Sequence, residues 1–298
     1  MSVLQIHNLS KSFGKIKALD DVSFDIPKGS VFGLLGPNGS GKTTLLSIVL
    51  DILGADSGSY SWFGEPSTLV QRKRIGSLLE TPNFYHYLTA VQNLRITHAI
   101  SGRGNEDAIH DVLKTVNLFE RRNSKFSTYS LGMKQRLAIA ATLLGNPEVL
   151  VLDEPTNGLD PVGIAEIREL IKSLAAAGHT IIMASHLLDE VEKICDHVAI
   201  LKYGKLIASG TVTSVLAAED CYLVNANEQI RLIEVLRQLA GVSRLTPTAE
   251  GVECYVNNDS ISAETINKHC FEQGLVLTHL TVKKKRLEEK FFELTSQS

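Results

Sequence analysis

The chain is short of the features that would place it in several large classes. No stretch of its 298 residues approaches the roughly 18 consecutive apolar positions of a membrane-crossing helix, so it is not expected to span a bilayer by itself. Met1 to Gln5 shows no basic segment leading into a long apolar one, and no signal peptide is expected. It has no excess of charge: 30 Lys and Arg against 33 Asp and Glu leave a formal −3, which argues against a nucleic-acid binder held by bulk charge. Its four cysteines, Cys195, Cys221, Cys254 and Cys270, form no C-x-x-C pair and have no histidine at metal-ligand spacing. With no export signal, reduced and mostly buried thiols are expected rather than two disulfides. No internal repeat is visible.

What is present is a 44% share of hydrophobic residues, enough for a sizeable core in one large domain or two unequal ones. The first two-thirds alternate strand-like and helical patterns. Val3 to Leu9, Val22 to Ile26, Val31 to Leu35, Arg74 to Leu79, Val149 to Leu152 and Thr180 to Ser185 read as strands, and Val198 to Ala208 as a hairpin around Tyr203-Gly204. Thr43 to Leu50, most of Val91 to Phe119, and Pro161 to Ala177 read as helices, the last opening on proline and ending at Gly178. Val149 to Leu152 has no polar alternation, as expected of a parallel strand covered on both faces. The pattern predicts an α/β sheet with crossover helices. After Ala218 the order becomes β (221–226), α (228–239), β (242–247), β (252–256), α (262–272), β (276–283), a ferredoxin-like split βαβ pattern, with a final helix at 287–294.

Two segments carry chemistry. Gly36-Pro37-Asn38-Gly39-Ser40-Gly41-Lys42-Thr43-Thr44 contains G-x-x-x-x-G-K-[ST] between a strand and a helix. Its glycines let backbone N–H groups turn inward onto phosphate oxygens, and the following helix adds its positive end. Lys42 can reach the β and γ phosphates, and the Thr43 hydroxyl can ligate Mg²⁺. Val149 to Leu152 then ends in Asp153-Glu154. Adjacent residues at a strand end point in different directions, so Asp153 can hold the metal shell while Glu154 takes a proton from an attacking water.

With these in place the chain resembles the ATP-binding subunits of ABC transporters, from about Val3 to Gly210. Ser130-Leu131-Gly132-Met133-Lys134-Gln135 resembles the LSGGQ signature, with Tyr129 at the leucine position and Ser130 and Gly132 retained. Ser130 suits a helix cap, and Gly132 permits close approach of an anion. The resemblance implies a head-to-tail dimer in which this segment contacts the ATP held by the partner. It likewise implies that Asp160, in Asn157-Gly158-Leu159-Asp160, lies on the loop crossing the dimer seam. His186 would contact the γ-phosphate, and Phe13, in Ser12-Phe13-Gly14, would stack on adenine. The shift in composition after Ala218 divides the chain into an ATP-binding domain at 1–218, in which the resemblance implies a helical subdomain at about 82–146, and an accessory α+β domain at 219–298.

One position departs from the family. Where a glutamine usually follows the strand into the helical subdomain, this chain has Glu80-Thr81-Pro82. A carboxylate is also a hard oxygen ligand, so Glu80 is expected to keep a Mg²⁺ role. Glu80 with Pro82, Tyr85, Leu88, Thr89, Asn93 and Leu94 resembles the bacitracin and lantibiotic resistance branch. That branch implies a separate permease and a peptide antibiotic or lipid-like cargo, with the chain on the cytoplasmic face of the membrane. Lys283-Lys284-Lys285-Arg286 reads as a solvated strand end. Two other readings fit the same motifs: an ABC-type ATPase outside transport, and an ATP-gated sensor. Glu154 speaks against the sensor; the missing coiled-coil insertion and second cassette speak against the former.

Overall fold

A computed structural model of the chain describes residues 1–79, 83–216, 220–256 and 261–283. It forms two compact units, Met1–Thr211 and Val212–Ser298. The expected boundary at 218 falls among residues 217–219, outside the described residues.

In the first unit, β1 (Ser2–Phe13) and β2 (Ile16–Pro27) form a hairpin, and β3 (Val31–Leu35) runs through the glycine loop into α1 (Lys42–Val49). β4 (Ser57–Trp62), the two-residue β5 (Glu65–Pro66), α2 (Leu69–Lys73) and β6 (Ile75–Leu78) follow. Then come α3 (Ala90–Ser101), α4 (Glu106–Thr115) and α5 (Leu131–Leu143). β7 (Val149–Asp153), α6 (Pro161–Ala176), β8 (Thr180–Ser185), α7 (Leu188–Ile194), β9 (His197–Lys202) and β10 (Lys205–Thr211) complete the unit.

These strands make two sheets. One is antiparallel, in the order β2-β1-β4-β5; the other runs β10-β9-β3-β8-β7-β6. From β9 to β6 the second sheet is parallel, and β10 closes its edge antiparallel to β9. Every residue of β3, β7 and β8 is buried, which is why these runs lack polar alternation. α1 buries Leu45, Leu46, Ile48 and Val49 in a core shared with residues of both sheets. Trp62 fills the same core, and its indole N–H donates to the Val49 carbonyl at 2.7 Å, so the ring is buried without an orphaned donor.

The helices between β6 and β7 are bounded by side-chain caps. Thr89 makes a capping box with Gln92, Asn105 caps α4, and Ser130 accepts from the Met133 N–H at the start of α5.

The second unit contains α8 (Val212–Leu216), β11 (Asp220–Ala226), α9 (Gln229–Arg237), β12 (Val242–Thr248), β13 (Gly251–Val256), α10 (Ala263–Glu272) and β14 (Leu277–Lys283). Its sheet order is β12-β13-β11-β14, antiparallel throughout. Read from β11, this is the ferredoxin-like split βαβ expected from sequence. Leu232 and Leu236 of α9 and Ile266 and Cys270 of α10 pack on Val224, Val252 and Cys254. All four cysteines are buried thiols. The expected helix at 287–294 and the basic residues 284–286 lie outside the described residues.

Ser57–Trp62, Leu69–Lys73 and Leu188–Ile194 were not foreseen from sequence. The strand SGSYSW is poor in β-branched residues, and its pairing with β1 supplies what its propensity lacks. Among the described residues, no helix is long and apolar enough to cross a membrane.

Candidate functional site

The site follows from strand order. β3, β8 and β7 are adjacent and parallel, with Leu35 beside Ser185 and Ala184 beside Asp153. The residues that follow each strand therefore emerge together at the carboxyl edge: the glycine loop after β3, His186 after β8, and Glu154 after β7. This edge is where open α/β sheets place their ligands.

The loop geometry is fixed by its glycines. Gly41 has φ +105°, a left-handed conformation, and a Cβ there would lie 2.4 Å from the Ala18 carbonyl oxygen. α1 starts on this residue without a side-chain cap, so its first N–H groups face the loop. The Ser40 hydroxyl oxygen is buried in the loop and makes no hydrogen bond.

Lys42 is buried, and its ammonium donates to the Gly36 carbonyl at 2.8 Å and to that of Pro37 at 3.4 Å. It lies 3.7 Å from a Glu154 carboxylate oxygen. Burial holds its pKa below the ordinary lysine range, against the opposing pull of Glu154 and then Asp153. The Thr43 hydroxyl donates to Asp153 Oδ2 at 2.8 Å. His186 Nδ1 lies 2.8 Å from Glu154 Oε2, which fits the tautomer with a proton on Nδ1 and leaves Nε2 to face a ligand. Glu154 itself has φ +48°, uncommon for a residue with a side chain, and its N–H donates to the Ala184 carbonyl at 3.0 Å. That extra ladder bond past the end of β7 holds the residue in its turn.

A cleft of about 440 Å³ runs along the loop. Phe13, Ile16, Lys17, Ala18, Asn38 to Thr44, Glu154 and Tyr203 line it. Phe13 is half-exposed at its mouth, with the Lys11 ammonium 5.7 Å from its ring centre. Ser130, Leu131, Gly132 and Met133 do not line this cleft. They open α5 elsewhere on the unit, where Leu131 is exposed and a Cβ on Gly132 would meet open space. Asp160 caps α6, its Oδ1 accepting from the Gly163 N–H at 3.0 Å. Glu80 lies outside the described residues. Ile16 to Ala18 and Tyr203 line the cleft although sequence did not mark them. The only signal was the Tyr203-Gly204 turn, which read as a plain hairpin.

Thr43 and Asp153 bring a hydroxyl and a carboxylate into contact. That donor set fits Mg²⁺, which takes few protein oxygens and completes its shell with phosphate and water. Among the described residues no group of three His, Cys, Asp or Glu side chains is arranged to hold a metal by itself.

A loop for triphosphate and two carboxylates at one sheet edge define a nucleotide hydrolase. The comparisons agree. A family profile described as ABC transporter matches residues 19–157. The bacitracin transport ATP-binding protein BcrA of Bacillus licheniformis is 36% identical over 98% of this chain and 97% of its own length. The lantibiotic transport ATP-binding protein SrtF of Streptococcus pyogenes is 42% identical over 69% of this chain and 89% of its own. A solved structure titled cbiO1 from Clostridium perfringens, part of the ABC transporter complex cbiONQ, has a TM-score of 0.66 and 30% identity, over 80% of this chain and 96% of that one. The chain belongs to the ABC transporter family, as an ATP-binding subunit. It is an ATPase whose hydrolysis powers transport, and such a subunit works with a membrane permease.

Proposed function

We propose that the chain hydrolyses ATP at the seam of a head-to-tail pair of ATP-binding subunits, and that this cycle drives a separate permease carrying a peptide antibiotic or lipid-like compound. The cleft beside Phe13 takes adenine, and residues 36 to 44 take the phosphates. Thr43 and Asp153, with Glu80, would hold Mg²⁺, which would neutralise phosphate charge when bound. Glu154 accepts the proton of the attacking water through a carboxylate oxygen. His186 holds that carboxylate in position through Nδ1 and presents Nε2 to the γ-phosphate. Ser130 to Met133 cover the ATP of the partner copy, and the Asp160 segment lies at the seam.

The observation that carries this reading is the pair of contacts at the sheet edge, Thr43 to Asp153 and Glu154 to His186, with the Lys42 ammonium 3.7 Å from Glu154. The signature segment points to a pair because it opens a helix terminus away from the chain's own cleft. ATP that touches both copies only when they are closed shifts the population toward closure, and hydrolysis reverses it.

The cargo class rests on the relatives named for bacitracin and lantibiotic transport. Placement on the cytoplasmic face of the membrane follows from the permease partnership. Membranes carrying a neighbouring permease of about six apolar spans should retain the chain, and bacitracin should raise its phosphate release. Neither retention nor stimulation with any neighbouring permease would overturn the transport pairing.

A further inference from the structure

We propose that Tyr203 is a base-binding residue: the turn between β9 and β10 contributes, with Phe13, to the aromatic lining of the nucleotide cleft. This deepens the reading of the cleft as an ATP site and rests on it.

Tyr203 lines the same cleft as Phe13, yet the residue is 75% exposed and is not part of the core. A large aromatic ring left in solvent beside a ligand cleft is the kind of surface a nucleobase covers. Its backbone also sits at φ +48°, where glycine or asparagine would be at ease and a tyrosine is not. Neither burial nor backbone preference accounts for a tyrosine here.

The turn is held in register with the cleft. The Gly204 N–H donates to the Ser40 carbonyl at 3.1 Å, and the Asp20 N–H donates to the Gly204 carbonyl at 2.8 Å. Gly204 sits so close that a Cβ would come within 2.7 Å of the Ala18 carbonyl oxygen. Through Gly204 the turn is thus tied to the phosphate loop on one side and to β2 on the other. The cleft that Tyr203 lines is shared with loop residues Asn38 to Thr44 and with Phe13.

The substitution Tyr203→Asn tests this without threatening the fold, because asparagine tolerates the left-handed conformation. Binding of ATP and of inorganic tripolyphosphate to the full chain is measured by calorimetry, with Tyr203→Phe alongside. Loss of one stacking or edge contact should weaken ATP binding by roughly five- to tenfold in Tyr203→Asn, at the low end of base–aromatic contacts. Tripolyphosphate binding should stay unchanged, and Tyr203→Phe should stay near wild type. Unaltered ATP binding in Tyr203→Asn would overturn the proposal. So would an equal loss for both ligands, which would mean that the turn acts only through Ser40. If the wild type bound tripolyphosphate but gained nothing from the base, the base-binding role would be refuted while the phosphate site stood. If it bound neither, the ATP site itself would be refuted.

Discussion

At the scale of single residues, the site is a set of charged and polar groups held close to one another. Lys42 is the most constrained. Its ammonium is buried and turned back onto the Gly36 carbonyl, and its pKa is lowered because burial outweighs Glu154 and Asp153. The folded chain therefore gives up this proton at lower pH than the unfolded chain, whose lysine has the ordinary value of 10.5. Between those two values the unfolded state binds more protons, so this residue's contribution to stability rises with pH. In chemical unfolding at several alkaline pH values, the wild type should gain stability relative to Lys42→Met as pH rises. Parallel pH dependence in both would contradict it. The residues of this site were legible in sequence where a spacing forces them together, as in Gly36 to Thr43 and Asp153-Glu154. Tyr203 was not, because a lone aromatic in a turn carries no spacing.

At the scale of elements, Gly41 and Ser130 decide how the two helices of the phosphate loop and the signature segment begin. The left-handed Gly41 and its 2.4 Å approach to Ala18 leave no room for a side chain. Gly41→Ala should cost ATP binding outright, at roughly 1–3 kcal/mol of backbone strain, read as a lost calorimetric signal with a lowered melting temperature. Ser130→Ala removes the cap of α5 and should cost about 1 kcal/mol in denaturant unfolding. In the second unit Glu253 accepts from Lys283 at 2.5 Å and from the Tyr255 hydroxyl at 2.8 Å, and the lysine first of all holds its carboxyl below the ordinary 4.5. A lowered carboxyl pKa gives stability that is present above 4.5 and lost as pH falls through the folded value. Glu253→Gln should flatten the acid limb of unfolding there, and an unchanged limb would contradict it. Element types were legible wherever periodicity was strong: the βαββαβ order after Ala218 came from alternation alone. Ser57–Trp62 was hidden because tertiary pairing, not propensity, makes it a strand.

At the scale of the whole molecule, strand order does what no single motif can. The adjacency of β3, β8 and β7 converts three separated segments into one edge. Sequence named the segments but not their neighbours, since sheet order is set by crossovers that spacing does not record. The same edge leaves the α5 terminus outside the chain's own cleft, so a second copy is expected to complete the site. Size-exclusion chromatography with ATP should show a dimer for Glu154→Gln, and Ser130→Arg in that background should return it to monomer while ATP still binds. The most direct test of the account is phosphate release by the wild type and by Glu154→Gln, with ATP affinity measured in both. The account predicts turnover in the wild type, a loss of roughly a hundredfold or more in the variant, as befits a general base, and unchanged ATP affinity. Equal turnover in the two proteins would contradict it.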